Sequence, residues 1–324
     1  MKSEELKSYL QSLNIVAEGN ENASKIITGK EYSGFFLTSS GVGAKNLSLI
    51  RELLFGKFNF WFFRIYLLKY FFFSHKERLK KDKYLIVHNF WSGGYHHWLA
   101  EALLKLAVSE INYEDYTLLL PKEYPAFTSE SLTKFKFSAI VYLKPKNLYY
   151  INNAVILSNP VSGFFCNRHI EKLREMYVAK KYSKPFRKIY VSRINERSRM
   201  VTNEKEVYGA LLDNGYEIVE TQKISFNEQV AMFAEASEVI SIHGAALTNM
   251  IFMQPGTRVV ELYRELTYGD KMNLCYYRLA DAASLAYECH FLKVAAEHHD
   301  IDHSDLSIDV SDFISVLTPK QSNL

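Results

Sequence analysis

The sequence predicts an α/β fold with two domains, each built on a parallel sheet that helices cover on both faces. Its 324 residues are 48% hydrophobic, which is enough for a sizeable core in each domain. Short apolar runs of strand length alternate with longer amphipathic segments, and turn signals such as Gly93-Gly94 and Asn214-Gly215 separate them. Because this rhythm is typical of parallel sheets and occurs twice, we expect two Rossmann-like domains facing a central cleft.

Charge and cysteine content narrow the class of protein. A net charge of +3 does not favour nucleic acid as a partner of the whole chain. The three cysteines are odd in number and have no metal-ligand spacing, so we expect them to be reduced in a cytoplasmic setting: Cys166, Cys275 and Cys289. The N-terminus is charged and has no apolar signal region.

The first half of the chain predicts elements of moderate length. We expect helices over Glu4–Leu13, His96–Ser109 and Ser129–Lys136, and strands over Ser33–Thr38, Tyr84–His88, Tyr116–Leu120, Ile140–Leu143 and Ala154–Leu157. A linker and a bridging helix are expected over Ser158–Ser183. We therefore divide the chain into an N-terminal domain of residues 1–165 and a C-terminal domain of residues 166–324 that ends in a helix.

The second half carries clearer start and stop signals. A helix is expected from Asn203 to the Asn214-Gly215 stop signal, and another from Ser225, which forms a capping box with Glu228, through Ala236. Strands are predicted over Lys188–Ser192, Tyr216–Val219, Val239–Ile242, Val259–Leu262 and His290–Val294.

A basic, aromatic segment covers residues 53–83. Sixteen of the 21 residues from 53 to 73 are apolar, but Lys57, Arg64 and Lys69 interrupt them. A charge at the bilayer centre costs about 2.5–3.5 kcal/mol on insertion scales, which argues against a membrane span. Basic aromatic helices lie in the membrane interface, so we expect this segment to contact the membrane surface. The alternative is an aromatic helix that packs in the core or docks on a partner.

Polar residues follow two of the predicted strands of the second half. His243-Gly244-Ala245-Ala246 comes directly after the strand Val239–Ile242 and precedes a short helix that contains Thr248 and Asn249. Backbone N–H groups at such a turn favour a phosphate. Glu261, near the end of the next strand, is placed to accept hydrogen bonds from ribose hydroxyls.

Arginines follow a third strand of the same half. Arg193 ends KIYVSR, and Arg199 follows six residues later. A guanidinium offers paired donors to a diphosphate, so both are candidate phosphate ligands, whereas Arg197 fits a solvated basic loop better.

One histidine of the first half has a carboxylate at helical spacing. Glu101 lies four residues after His97 and therefore on the same helical face. A histidine oriented by a carboxylate is a standard general base, so His97 is preferred over His96. The alternative is that one histidine caps the helix and the other is exposed. No third ligand for a metal is evident.

These motifs resemble glycosyltransferase family 61, which includes bacterial capsular and lipopolysaccharide enzymes and eukaryotic xylosyl- and N-acetylglucosaminyltransferases. The resemblance lies in KIYVSR, RMVTNEKEV and the long run SFNEQVAMFAEASEVISIHGAALTNMIFMQPGTRVVEL, in the order and spacing of the family. The upstream HHWLAEALLKL is similar to the N-terminal helix motif of the family. One departure is Ala246, where the family often has glycine.

The resemblance implies a GT-B fold and an inverting transfer of a hexosyl or pentosyl group without a metal or cofactor. It places the nucleotide-sugar donor at Arg193, Arg199, His243, Asn249 and Glu261. The expected partners are that donor, a glycan or lipid-linked glycan acceptor in capsule or O-antigen synthesis, and the inner face of the cell membrane. A homo-oligomer is an open alternative, and no nucleic acid is expected. Another transferase of GT-B shape, such as a pyruvyltransferase, and a non-catalytic assembly subunit are the alternative functions.

Overall fold

The computed structural model divides the chain into two compact units. It describes residues 1–15, 19–20, 27–54, 59–81, 83–178, 184–196, 198–268 and 270–317. The N-terminal unit is Glu21–Met176, and the C-terminal unit combines Met1–Asn20 with Tyr177–Leu324. The first helix joins the C-terminal unit because the amino group of Met1 donates to the carbonyl of Cys289 at 2.8 Å.

The N-terminal unit contains one eight-stranded sheet. Its strands are β1 (Gly29–Thr38), β2 (Gly43–Lys45), β3 (Ser48–Leu49), β4 (His75–Leu79), β5 (Tyr84–Ile86), β6 (Thr117–Pro121), β7 (Ala139–Leu143) and β8 (Asn147–Leu157). Their order is β3-β2-β1-β8-β5-β6-β7, and β4 also pairs with β8. The expectation of a wholly parallel sheet is wrong here, because β1 runs antiparallel to both β2 and β8. Short connections such as those joining β1, β2 and β3 permit only antiparallel pairing.

The helices of this unit include one irregular helix. Tyr95–His97 continues through a π-helical turn, Trp98–Leu103, into Leu104–Val108. The predicted helix Ser129–Lys136 begins earlier than expected, directly after Pro125, and ends in a 3₁₀ turn. The other helices and 3₁₀ turns are Arg51–Leu53, Phe60–Phe73, Tyr113–Asp115, Ala126–Ser131, Leu132–Lys134 and Asn167–Tyr177.

The C-terminal unit contains the predicted parallel sheet. Its strands are β9 (Arg187–Val191), β10 (Tyr216–Val219), β11 (Ala236–Ile242), β12 (Arg258–Arg264), β13 (Ala286–Ala296) and β14 (Asp305–Ser307). The order is β10-β9-β11-β12-β13-β14. The first five strands are parallel, and the unpredicted β14 pairs antiparallel with β13 at one edge. The mixed α/β class is therefore confirmed.

Helices and 3₁₀ turns cover this second sheet. The predicted capping box of Ser225 and Glu228 is confirmed, but the helix ends at Ala234 because Ala236 already belongs to β11. The core beneath the helices is apolar and includes Tyr190, Ile240 and Phe313. The elements are Ser3–Ser12, Glu204–Val207, Tyr208–Asp213, Thr221–Lys223, Phe226–Ala234, Ala245–Phe252, Cys275–Ala282, Ile301–His303 and Val310–Leu317.

None of the helices in the described ranges combines the length and apolar character needed to cross a membrane. The three cysteines are free, and Cys275 and Cys289 are buried.

Candidate functional site

His243 is held by two neighbouring strands at the end of the C-terminal sheet. It follows β11 directly, and its Nδ1 contacts Oε1 of Glu261 on β12. The other carboxylate oxygen of Glu261 accepts from the hydroxyl of Tyr287 on β13. Burial, and next the charge of Glu261, raise the pKa of Tyr287, so that this hydroxyl stays protonated and donates. Glu261 is fully buried, and both of its oxygens are used inside the protein.

Aromatic rings fix the plane of the His243 imidazole. The rings of Tyr263 and Tyr276 each lie 5.0 Å from it, close to perpendicular. The His243 side chain is 12% exposed, so only a small part of it reaches solvent. A preorganised imidazole that a buried carboxylate orients can donate to an anion or move a proton.

Two arginines lie beside the backbone of His243. Arg193 donates from Nε to the carbonyl of Arg199 at 3.2 Å and from Nη2 to that of Ser198 at 3.1 Å. Arg199 donates from Nη1 to the carbonyl of His243 at 3.0 Å. Burial, reinforced by the charge of Arg199, lowers the pKa of Arg193 from its ordinary value. The two arginines therefore form a compact cationic group with the turn after β11.

Arg199 has two unusual features. Its backbone is left-handed, with φ of +54°, a conformation that non-glycine residues rarely adopt. Its Nε is buried and has no hydrogen-bond partner among the described residues. Buried donors are almost always paired, so an unpaired one at a cationic turn is the kind of group that a ligand or water satisfies.

A small cavity adjoins these residues. It has a volume of about 20 Å³ and is lined by Arg199, His243, Tyr263, Arg264 and Asp302, among others. This is room for about one water molecule. Arg264 was not predicted as a site residue; its guanidinium donates to Asp302 at 2.9 Å and is 7% exposed.

Gly244 lets Arg193 approach the turn. A Cβ at this position would lie 2.7 Å from Nη1 of Arg193, which is too short for a real contact. The φ of Gly244 is −179°, so the requirement is for space and not for an unusual backbone. Ala245 begins the following 3₁₀-helix, and Ala246 lies within it, so alanine suits the backbone at the position where the family often has glycine.

Thr248 and Asn249 are fully buried in the same 3₁₀-helix. Asn249 donates to the side-chain oxygen of Gln229 at 2.8 Å and to the carbonyl of Ala246 at 3.2 Å. Thr248 interacts with the hydroxyl of Tyr276. Both side chains therefore fasten the turn to the rest of the unit. A direct contact of either residue with the nucleotide-sugar donor stays a prediction. Arg197 lies outside the described residues.

The close approach at Gly244 predicts a matched pair of glycine variants. In Gly244→Ala the new methyl group must displace the Arg193 guanidinium, at an overpacking cost of about 1–3 kcal/mol. Gly209→Ala adds a methyl with nothing within 4 Å inside the helix Tyr208–Asp213, so it should stabilise by about 0.5–1 kcal/mol. Urea unfolding measures both. Equal stability of the two variants would contradict the close approach.

In the N-terminal unit the predicted histidine–carboxylate pair is present. Nδ1 of His97 lies 2.8 Å from Oε1 of Glu101. The Glu101 side chain is 4% exposed and that of His97 35%. The π-helical turn Trp98–Leu103 begins directly after His97 and contains Glu101. π-Helical turns are rare in proteins as a whole, and those that occur are often found at functional sites. The His96 ring lies against His97 and Phe165.

Further buried polar groups surround Glu101. Oε2 of Glu101 and Nδ2 of Asn89 are both buried, and neither has a hydrogen-bond partner in the described ranges. Asn89 nevertheless lies close enough to Glu101 to favour the charged form of that carboxylate. Burial raises the pKa of Glu101, and His97 opposes that effect. Lys105, four residues after Glu101, is 1% exposed and donates to Asn159 at 2.9 Å. Burial lowers the pKa of Lys105 to about 8, and Glu101 opposes this shift.

His88 completes this buried cluster. It is 1% exposed, and neither ring nitrogen has a hydrogen-bond partner within the part of the chain that the structure describes. Burial, together with the charge of Lys105, lowers the pKa of His88 to about 3. The sequence shows the spacing of His97, Glu101 and Lys105 at every fourth residue, but periodicity does not reveal that a lysine is buried.

His88 predicts an acid sensitivity of folding. Its pKa in the unfolded chain is about 6.5 and in the folded protein about 3, so the unfolded state binds more protons between these values. Stability therefore falls as the pH drops below 6.5, by about 2 kcal/mol at pH 5. Urea unfolding at pH 7 and pH 5 measures this. In His88→Phe that part of the loss should vanish; an equal pH dependence in the variant would contradict the assignment.

A family model described as Glycosyltransferase 61 matches residues 95–260, which is just over half of the chain. The matched region begins at the helix that carries His97 and Glu101 and ends immediately before Glu261. The chain therefore belongs to glycosyltransferase family 61. The protein is a glycosyltransferase, as the sequence predicts. No curated protein matches it significantly.

Proposed function

We propose that this glycosyltransferase moves a sugar with inversion from a nucleotide-diphosphate donor to a glycan hydroxyl, without a metal, in bacterial surface-polysaccharide synthesis. The observation that carries the proposal is the 2.8 Å pair of His97 and Glu101. Single displacement with inversion needs one base to deprotonate the acceptor. A histidine that a buried carboxylate orients is suited to that role.

The geometry of this pair suggests how the base works. If Nδ1 of His97 donates to Glu101, Nε2 is the nitrogen that accepts the proton of the acceptor hydroxyl. The resulting imidazolium is stabilised by the Glu101 carboxylate, which lies almost entirely out of water. The oxygen of the acceptor forms the new bond to the anomeric carbon as the bond to the diphosphate breaks on the opposite face.

Donor binding is assigned to the cationic group of the C-terminal unit. Arg193, Arg199 and His243, with backbone N–H groups at Gly244 and Ala245, would hold the diphosphate and stabilise it as it leaves. This role of the cations is the reason that a metal is not required. Glu261 would orient His243, since Tyr287 and His243 occupy both of its oxygens.

The remaining parts of the proposal rest on the family resemblance. They are a GT-B arrangement with two such domains facing a cleft, an acceptor that is a glycan or lipid-linked glycan, and a peripheral location at the inner face of the cell membrane. Among the described residues no group of three or more histidines, cysteines and carboxylates could hold a metal ion.

Calorimetric titration with UDP, GDP and CMP tests the proposed donor class. UDP or GDP should bind at one site per chain in the presence of EDTA, whereas binding of CMP alone would contradict a diphosphate donor. No binding of any nucleotide, with or without added Mg²⁺, would contradict the proposal and favour a non-catalytic subunit. Binding that requires Mg²⁺ would overturn the metal-independent mechanism alone.

A further inference from the structure

We propose that a groove in the N-terminal unit binds a hydrocarbon chain of an anionic membrane lipid. The groove lies between the helix Phe60–Phe73, called the aromatic helix below, and the hairpin of β2 and β3. Its volume is about 710 Å³, within the range of about 300–1,000 Å³ typical of ligand sites. Apolar side chains line it, including Leu47, Leu49, Trp61, Ile65, Leu68 and Phe72.

The floor of the groove is a firmly packed aromatic layer. The Phe36 ring on β1 lies 4.7 Å from that of Phe71 and 5.2 Å from that of Tyr150, both in edge-to-face geometry. Phe63 and Leu67 anchor the aromatic helix in the interior, with exposures of 3% and 8%. The groove is therefore a preformed feature of the fold.

The walls of the groove expose large apolar side chains to solvent. Trp61 is 69% exposed, Leu68 51% and Phe72 77%, and Leu47 on the facing hairpin is 81% exposed. Phe73, on another face of the same helix, is 88% exposed. A contiguous exposed apolar surface of this kind marks an interaction site. Because it extends over more than one face of the helix, a bilayer covers it better than a single partner helix would.

The hairpin tip holds a leucine where a leucine is disfavoured. Asn46 and Leu47 have φ of +50° and +63°, the left-handed pair that a two-residue hairpin turn requires. Glycine is strongly preferred at the second position, so Leu47 carries a conformational cost. The Leu47 side chain makes up one rim of the groove. Insertion of this rim into lipid would bury the side chain and so offset the conformational cost.

Positively charged side chains near the groove, without a carboxylate partner among the described residues, favour a negatively charged ligand. The Arg64 guanidinium lies 4.7 Å from the Phe60 ring and the Lys76 ammonium 5.9 Å from the Phe71 ring, so both cations contact rings of the aromatic helix. Within the described ranges, none of Arg64, Lys69 and Lys76 forms an ion pair with a carboxylate.

An apolar groove that has Arg64 in its lining and Lys76 against the Phe71 ring is complementary to a lipid with an anionic headgroup. A second copy of the chain on the same groove would bring the positively charged surfaces of both copies together, and like charges repel. The anionic phospholipid of a bilayer is therefore the occupant that the charges favour.

Quenching of tryptophan fluorescence by brominated acyl chains tests the site directly. With vesicles of phosphatidylcholine and phosphatidylglycerol, wild-type emission should fall, whereas phosphatidylcholine alone should give little quenching. Trp61→Phe should lose most of the quenching, and the matched Trp91→Phe, which removes a 48% exposed indole elsewhere in the unit, should keep it. Equal quenching in both variants, or none in the wild type, would overturn the proposal.

Vesicle flotation tests groove and cations separately. Leu68→Ser with Phe72→Ser should abolish flotation, whereas Phe186→Ser with Tyr268→Ser, which removes exposed aromatics in the C-terminal unit, should not. Arg64→Gln with Lys76→Gln should weaken binding to anionic vesicles about 25-fold, at about fivefold for each cation. Unchanged flotation in the groove variant, or a groove-dependent dimer in light scattering without lipid, would refute lipid binding.

Neither experiment contains a sugar nucleotide. The lipid site rests on the membrane location in the proposed function, so failure of lipid binding counts against that location but leaves the transfer reaction intact, and failure of transfer leaves the lipid site intact. Circular dichroism of each variant distinguishes loss of the groove from loss of folding.

Discussion

Replacing His97 with alanine should reduce turnover by about 10²–10⁴-fold while leaving the affinity for nucleotide unchanged. The variant removes the imidazole that Glu101 orients at 2.8 Å, so the acceptor hydroxyl must attack the anomeric carbon without a base to take its proton. Initial rates of sugar transfer, with the nucleotide affinity from calorimetry, measure the two effects separately.

The neighbouring histidine supplies the control for this prediction. His96→Ala should retain most of the activity, and Glu101→Gln should lose much of it because the amide does not stabilise the imidazolium. If His97→Ala lowers turnover and nucleotide affinity by the same factor, His97 belongs to donor binding. If His96→Ala has the larger effect, the base has been assigned to the wrong histidine.

Replacing Arg199 with methionine should weaken binding of the nucleoside diphosphate by about 10- to 150-fold. Hydrogen bonds to charged groups contribute about 1.5–3 kcal/mol, and Arg199 carries the buried, unpaired Nε beside His243. The affinity for the corresponding monophosphate should change less, because it lacks the second phosphate. Calorimetry with the nucleotide that binds the wild type measures both.

The control for Arg199→Met is an arginine of the same unit whose guanidinium already forms ion pairs with carboxylates. Arg187 begins β9 and binds Glu217 and Glu235 at 2.6 and 2.7 Å, so Arg187→Met should leave nucleotide affinity unchanged. Equal losses in the two variants would show a general effect of positive charge. An unchanged affinity in Arg199→Met would remove this residue from the donor site.

The C-terminal fold could be predicted closely because its signals are local. Ser225 and Glu228 form a capping box that predicts the start of a helix from four consecutive residues. Gly215 and Gly256 mark turns and have positive φ. In contrast, β1 lies beside β8 through pairs such as Phe36 with Tyr150, which are distant in the chain. Sequence patterns identify such strands but not their direction, so the antiparallel half of the N-terminal sheet could not be foreseen.

The candidate site shows the same limit. His97 and Glu101 share one helix, so their spacing reveals the contact. His243 and Glu261 are each recognisable at strand ends, but their contact depends on the register of β11 and β12, and Tyr287 joins them from β13. The burial of His88 and Lys105 depends on tertiary packing, and no pattern in the sequence indicates it.

The anomeric configuration of the product is the most direct test of the proposed reaction. A panel of nucleotide sugars would be incubated with the full chain, EDTA and a glycolipid extract of bacterial membranes, and the new linkage would be read by NMR. We predict that the sugar of one donor is transferred with inverted configuration, and that His97→Ala slows this transfer by about 10²–10⁴-fold. A product with retained configuration, or inverted product formed equally by His97→Ala, would contradict the mechanism.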